Sequence, residues 1–316
     1  MNSIGGYFEL EMPKKQEYHA DAIKLNSARN CLELFLRSKK FDIVFLPYYT
    51  CEAILEPFKK LTVKYEFYKI DNNFEIINLN KYLDHGLLLY TNYYGIKKKY
   101  VTYLSQQYKN IIIDNAQAFF MRPEKDIPAF YSCRKFFGVP DGGYIYMNDA
   151  CDIQLEQDTS YERFSHLLKR IDETPQHGYQ DFVNNNQSIS NQPIKKMSKL
   201  TQGILSSIDY EKAKIIRERN FLFLHDLLRE YNELKIDLES VCGPMIYPYL
   251  KKNDNLHQNL IGKQIYVATY WKNVLEWCKP DSIENYMVKY LIPLPIDHRY
   301  SLDDMNKLYK ILMEML

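Results

Sequence analysis

Residues 110–120 read NIIIDNAQAFF, and residues 131–146 read YSCRKFFGVPDGGYIY. In the first stretch three isoleucines run into Asp114, the pattern of a short strand buried on both faces that ends on a carboxylate. In the second, strand-like runs at Phe130–Ser132 and Tyr144–Met147 flank a turn that holds Arg134, Lys135, Gly138, Pro140, Gly142 and Gly143. Proline presets one corner of such a turn and glycine accepts positive φ. Glycine is scarce here, 11 in 316 residues against a usual share of ~7%. Three glycines within six positions therefore mark a backbone requirement.

The same alternation extends outward from these two stretches. Residues 26–37, NSARNCLELFLR, place Ala28, Cys31, Leu32, Phe35 and Leu36 on one helical face, with Ser27 where an N-cap belongs. Strands are predicted at Ile43–Leu46, stopped by Pro47, and at Val63–Ile70 and Leu87–Thr91; helices are predicted over 51–60 and 98–108. Strands alternating with helices imply an α/β fold whose mostly parallel central sheet is flanked by helices. Beyond residue 150 the texture changes. A polar helix is expected over 151–172, an amide-rich loop over 176–196 and a long helix over 205–231. Short strands follow at 245–250 and 291–294, then a last helix capped by Ser301, with Asp303 and Asp304 in its first turn, where they suit the helix dipole. This reads as a large domain, 1–215, and a smaller α+β domain, 216–316.

Composition excludes several classes. Lys and Arg number 41 and Asp and Glu 40, so nothing electrostatic draws the chain to nucleic acid or an anionic membrane. No apolar run reaches the ~18–20 residues of a membrane span, and the first residues carry charges where a signal peptide is apolar. Six cysteines lie scattered at 31, 51, 133, 151, 242 and 278 without CxxC spacing, which suits reduced thiols in a cytoplasmic protein. The seven histidines show no ligand spacing, so no metal site is expected; Lys97–Lys99 reads as a solvated helix start. GxGxxG, GxxxxGK[ST] and GxSxG are all missing, which argues against dinucleotide, P-loop and serine-hydrolase chemistry.

Three segments carry the chemistry. In open α/β sheets ligands bind beyond the carboxyl ends of the strands, where Asp114 and Lys135 are expected. The helix start at Ser27-Ala28-Arg29 offers free N–H groups to a phosphate. A lysine for an aldehyde, an acid for a pyridinium nitrogen and an anion cradle are what pyridoxal phosphate requires. Each element also has a plainer reading: Ser27 as a cap, Asp114 as a turn former, Lys135 with Arg134 as a solvated pair, and GVPDGG as a connector. Order and spacing favour the joint reading, with Gln117 three residues beyond Asp114.

Nearly end to end, the sequence resembles the DegT/DnrJ/StrS family of pyridoxal-phosphate sugar aminotransferases, of aspartate-aminotransferase-like fold type I. The segments concerned are SAR at 27–29, FLPYYTCEAILEPF at 45–58, YTNYYGI at 90–96, DNAQAFF at 114–120, SCRK at 132–135 followed by GVPDGG, MSKLTQGIL at 197–205 with RERN at 217–220, and LIPLPIDHRYSLDDM at 291–305. The resemblance implies that Lys135 holds the cofactor as a Schiff base and that Asp114 pairs with the ring nitrogen. Gln117 would lie near the 3-oxygen and Ala116 against the ring face. Ser132, Ser27, Ala28 and Arg29 would contact the phosphate.

The sequence departs from that pattern in two places. Cys51 stands where the family stacks an aromatic on the ring, with Tyr48 and Tyr49 as possible substitutes. Ile194 and Lys196 replace an asparagine and an arginine that the family sends into the neighbouring subunit; His177–Gln180 and Asn184–Asn186 are alternative sources. The resemblance implies a cytoplasmic homodimeric transferase that moves an amino group from glutamate to a nucleotide-linked keto sugar in surface polysaccharide or glycan biosynthesis. Elimination or racemisation on the same lysine, or a non-catalytic binding or regulatory role, are the alternatives.

Overall fold

The computed structural model describes residues 4–79, 86–148 and 154–316. Among these, β1 (Ile23–Leu25), β2 (Ile43–Pro47), β3 (Tyr65–Ile70), β4 (Ile76–Ile77), β5 (Gly86–Thr91), β6 (Ile111–Asp114), β7 (Ala129–Ser132) and β8 (Gly143–Tyr146) form one sheet in the order β1-β8-β7-β6-β5-β2-β3-β4. The central run β3-β2-β5-β6-β7 is parallel. β1, β8 and β4 pair antiparallel at the margins. β1 and β4 are too short to announce themselves by period. β8 turns back because the glycine turn after β7 is too tight for a crossover, which parallel neighbours require.

Both faces of the sheet are covered, and the strand period of two decides which side chain goes where. Val44, Leu46, Leu87, Leu89, Ile112, Phe130 and Ile145 enter one core together with α1 (Ala28–Ser38) and α2 (Leu55–Leu61). Their neighbours Phe45, Leu88, Tyr90, Ile111, Ile113, Tyr131 and Tyr144 enter the other core. That second core is continuous with α3 (Lys98–Gln107) and the C-terminal third of the chain.

Beyond residue 153 the expectations need three corrections. The expected 151–172 helix is irregular over 154–160, and only α4 (Ser165–Asp172), after a short 3-10 turn, is α-helical; residues 151–153, Cys151 included, lie outside the described residues. The expected 176–196 loop contains α5 (Tyr179–Ser188). That helix has little apolar content to betray it and is fixed by side-chain bonds: Asn185 Nδ2 donates to the Pro140 carbonyl (2.9 Å), and Asn186 Oδ1 accepts from Arg134 (2.6 Å). The long helix is two, α6 (Lys199–Ser206) and α7 (Tyr210–Leu228), because Ser198 and Asp209 each cap a new start through the backbone N–H groups of Thr201 and Lys212.

The remaining elements are β9 (Tyr247–Leu250), α8 (Leu256–Gly262), α9 (Val274–Trp277), α10 (Ile283–Tyr290), β10 (Leu291–Leu294) and α11 (Leu302–Met313). β9 and β10 pair antiparallel, as a sheet separate from the main one. α11 begins at Ser301 with a reciprocal cap to Asp304. The expected boundary at 215/216 falls inside α7. Lys97 and Lys99, expected to be solvated, pair with Glu75 (2.7 Å) and with Asp237 (3.0 Å) and Glu239.

Candidate active site

The site forms where α1 begins and where β6 and β7 end. Ser27 leaves β1 in extended conformation (φ −158°), and its hydroxyl accepts the Asn30 N–H at 3.1 Å. That bond uses one of the four orphan donors at a helix start. The N–H groups of Ala28 and Arg29 keep no protein acceptor among the described residues.

Gly143 packs against this corner. It pairs with Leu25 on one side and Ser132 on the other. A Cβ built on it would lie 2.6 Å from the Ala28 nitrogen and 2.6 Å from the Ser27 carbonyl carbon. Gly142, at φ +111°, supplies the turn that allows this approach, and its N–H donates to the Asn26 carbonyl at 2.9 Å. The glycine cluster thus brings the lysine turn to within contact of the helix start, with Ser132 on the adjoining strand.

Asp114 ends β6 and is buried. Its Oδ1 accepts the Ala116 N–H at 2.8 Å. Burial pushes the carboxyl above its ordinary value; the Lys135 charge and the Ala116 N–H pull it back. The Lys135 charge thus reaches the Asp114 carboxyl. Lys135 itself lies in a one-turn 3-10 segment, Cys133–Lys135, and is exposed, with no hydrogen bond or ion pair among the described residues.

Gln117 is buried, and its Oε1 accepts the Tyr94 N–H at 3.3 Å. Its Nε2 has no acceptor. A buried amide normally satisfies both ends, so this free donor marks a place for a ligand oxygen. Ala116 is buried beside it. Ser132 is half-buried, with no hydrogen-bond partner for its hydroxyl among the described residues. Arg29 is spoken for: Nη1 meets Glu56 at 2.9 Å and Ser190 at 3.1 Å.

The aromatic neighbourhood sorts the proposed substitutes. Tyr48 stacks on Phe67 (4.8 Å between centroids). Tyr49 is buried between Phe74, Tyr93 and Trp271, and its hydroxyl meets Tyr94. Both rings are therefore engaged in packing, and Cys51 is exposed. His177 pairs with Glu173 on the surface, and Ile194 packs on the α1–α2 core.

Two structural groups carried no sequence signal. Asp141, buried, accepts the Ser198 N–H (2.9 Å), the Ser198 hydroxyl (2.8 Å) and the Thr201 hydroxyl, tying the glycine turn to α6. Arg217, also buried, donates to the carbonyls of Phe136, Pro244 and Met245 at 3.1–3.3 Å. Residues 57 and 81 positions apart have no local pattern that would announce such pairs. No group of His, Cys, Asp and Glu suited to a metal ion occurs among the described residues.

No protein-family model matches the sequence, and no curated protein does. Solved structures do. The chain is similar to a DegT DnrJ EryC1 StrS aminotransferase from Brucella abortus, at TM-score 0.62 and 14% identity over 93% of this chain and 85% of that one. It is similar to Helicobacter pylori PseC, an aminotransferase involved in the biosynthesis of pseudoaminic acid, at TM-score 0.62 and 13% identity over 93% and 86%. It is similar to S. venezuelae DesV, solved in complex with a ketimine intermediate, at TM-score 0.63 and 15% identity over 93% and 84%. The chain shares the fold of these structures.

Proposed function

We propose that this chain is a pyridoxal-phosphate-dependent aminotransferase that moves an amino group, with glutamate as donor, to a nucleotide-linked keto sugar. The observation that carries the reading is that the Lys135 charge acts on the buried Asp114 carboxyl while Lys135, exposed, makes no hydrogen bond or ion pair among the described residues, near a helix start whose first N–H groups lack acceptors. The residues fit the cofactor on two further observations. Gln117 Nε2 is a buried donor without an acceptor, and the missing Cβ at Gly143 lets the strand after the lysine turn close on the α1 start, with Ser132 on the adjoining strand.

Bound pyridoxal phosphate supplies an electron-withdrawing ring that lets an amine's α-carbon lose a proton. The rest is done by the chain. Lys135 Nζ would hold the cofactor's aldehyde and is the group that would move a proton at the donor's α-carbon, as base and then as acid. Asp114 would pair with the ring nitrogen and keep it protonated, since opposite charges stabilise each other's ionised forms. Gln117 Nε2, which lacks an acceptor, would donate to the 3-oxygen, and Ala116 would lie against the ring. Ser132 Oγ and the N–H groups of Ala28 and Arg29 take the phosphate, where the helix dipole favours negative charge.

The reading includes a homodimer, a large unit of residues 1–215 with a smaller one of 216–316, and a cytoplasmic location. Exposed apolar side chains on α4 and α5 (Leu168, Ile171, Tyr179, Phe182) give a second copy something to cover. The five cysteines among the described residues are unpaired, which suits a reducing compartment, and no described helix is long and apolar enough to cross a membrane.

The test is optical. Purified protein mixed with pyridoxal phosphate should turn yellow, and Lys135→Ala should not. Glutamate should then bleach the colour and release 2-oxoglutarate. A wild-type protein that stays colourless overturns the cofactor reading. Colour without a half-reaction by any amino donor overturns transamination and leaves elimination or racemisation.

A further inference from the structure

We propose that Arg134, the residue before Lys135, is an anion-binding residue of this site whose guanidinium takes an oxygen of the cofactor's phosphate. The inference rests on the cofactor reading above and adds a ligand to it.

Arg134 lies in the lysine turn two residues beyond Ser132, and its guanidinium faces α5. There Nη2 donates to Asn186 Oδ1 at 2.6 Å, an uncharged acceptor. Nε is buried with no acceptor, and no carboxylate lies within ion-pair distance among the described residues. The surrounding charges are committed elsewhere. Glu56 holds Arg29, Asp158 holds Arg163 at 2.8 Å, and Asp141 is occupied by Ser198 and Thr201.

A second cation, Arg29, acts on Arg134 from the start of α1, and their partners Ser190 and Asn186 lie four residues apart. Arg29 donates to Ser190 Oγ, which donates to the Asn186 carbonyl at 3.4 Å, so Asn186 and Ser190 span the gap between the two guanidinium groups. Burial, then the Arg29 charge, push Arg134 down to about 10, and the Asp141 carboxyl, which makes no ion pair with it, offsets only part of that. A buried charge normally has a counter-ion, and removing one partner of such a pair is costly. Arg29 also opens α1, whose free N–H groups already invite an anion. A phosphate placed at the α1 start completes what Arg134 lacks. A guanidinium suits that task because its fork of donors matches phosphate oxygens.

The same chemistry exists in the diphosphate of a nucleotide-linked substrate, and the experiment separates the two sources. Equilibrium binding of pyridoxal phosphate and of pyridoxal, which lacks the phosphate, is read from the colour of the lysine-bound form in wild type, Arg134→Gln and Arg134→Lys. Arg134→Gln should weaken pyridoxal phosphate by about 10- to 100-fold, the effect of one charge-assisted hydrogen bond, and leave pyridoxal unchanged. Arg134→Lys should recover part of the loss. Inorganic phosphate should compete with pyridoxal phosphate less well in Arg134→Gln than in wild type.

Asn186→Asp guards against a folding artefact. It gives Arg134 a counter-ion, so the melting temperature should rise while pyridoxal phosphate binding weakens. Equal losses for pyridoxal and pyridoxal phosphate would make Arg134 structural and overturn the proposal. So would unchanged pyridoxal phosphate binding with weakened binding of a nucleoside diphosphate, which would assign the anion to the substrate. A wild type that takes up neither aldehyde fails the cofactor reading itself.

Discussion

Gly143 touches the peptide between Ser27 and Ala28: a Cβ on it would stand 2.6 Å from the Ala28 nitrogen. Strand β8 and helix α1 meet there with no side chain between them. Gly143→Ala must push backbone against backbone and should cost about 1–3 kcal/mol, the range for overpacking, and also weaken cofactor uptake. At Gly203 the added Cβ meets only the tip of Met12, and α6 gains a better helix former. Gly203→Ala should therefore be neutral or mildly stabilising with uptake intact. Urea denaturation and the cofactor titration measure both, and equal effects would mean that Gly143 reports only on folding.

Lys135 is exposed and bonded to nothing in the described chain. Lys135→Ala should leave the unfolding free energy within about 0.5 kcal/mol, as for ordinary surface substitutions, while abolishing turnover. A folded, inactive variant is the expected result. A variant that unfolds would mean that the lysine holds the turn together.

The apo-protein should reveal Asp114 through pH. Its folded pKa is raised by burial, so the native state binds the proton more readily than the unfolded chain. Stability then rises as pH falls through the folded pKa towards the ordinary carboxylate value of about 3.9. The gap in unfolding free energy between wild type and Asp114→Asn should shift in favour of wild type over that window. A gap independent of pH would show that Asp114 titrates normally.

His19 moves the other way. It is buried against the Phe119 carbonyl (2.8 Å) and the Tyr146 hydroxyl (3.1 Å), and burial lowers its pKa to about 3. The unfolded chain takes up a proton near pH 6.5 that the native state refuses, so stability is lost as pH falls below that value. The slope should be about 1.4 kcal/mol per pH unit for one such group. His19→Gln should remove that part of the acid sensitivity, read as the difference between urea midpoints at pH 7 and pH 5.

Asp141 is the group whose loss should cost the fold most. It collects two hydroxyls and one N–H from Ser198 and Thr201. Asp141→Ala strands those donors and frees the glycine turn, at about 2–4 kcal/mol for a buried, charge-assisted cluster. Ser301→Ala, which removes an exposed helix cap, should cost about 1 kcal/mol. Thermal unfolding of the two variants should rank them in that order.

By itself the sequence determined the framework. The periods of NIIID, IVFLP and NSARNCLELFLR specify buried strands and an amphipathic helix with its cap, because each depends on residues within one or two turns of each other. Asp114, Gln117 and Lys135 were legible for the same reason: each sits at a strand end or turn that its neighbours define. Asp209, a cap type just before an apolar-periodic run, marks the start of α7 within the expected long helix. Tertiary structure alone decided what is long-range. Asp141 finds Ser198, Arg217 finds the Phe136 carbonyl, and α5 forms because Asn185 and Asn186 bond to residues some 45–52 positions away. Hydrogen bonds between distant segments depend on chain path, and no local period encodes them. Only that path brings the Arg29 charge to bear on Arg134 with no carboxylate at ion-pair distance among the described residues.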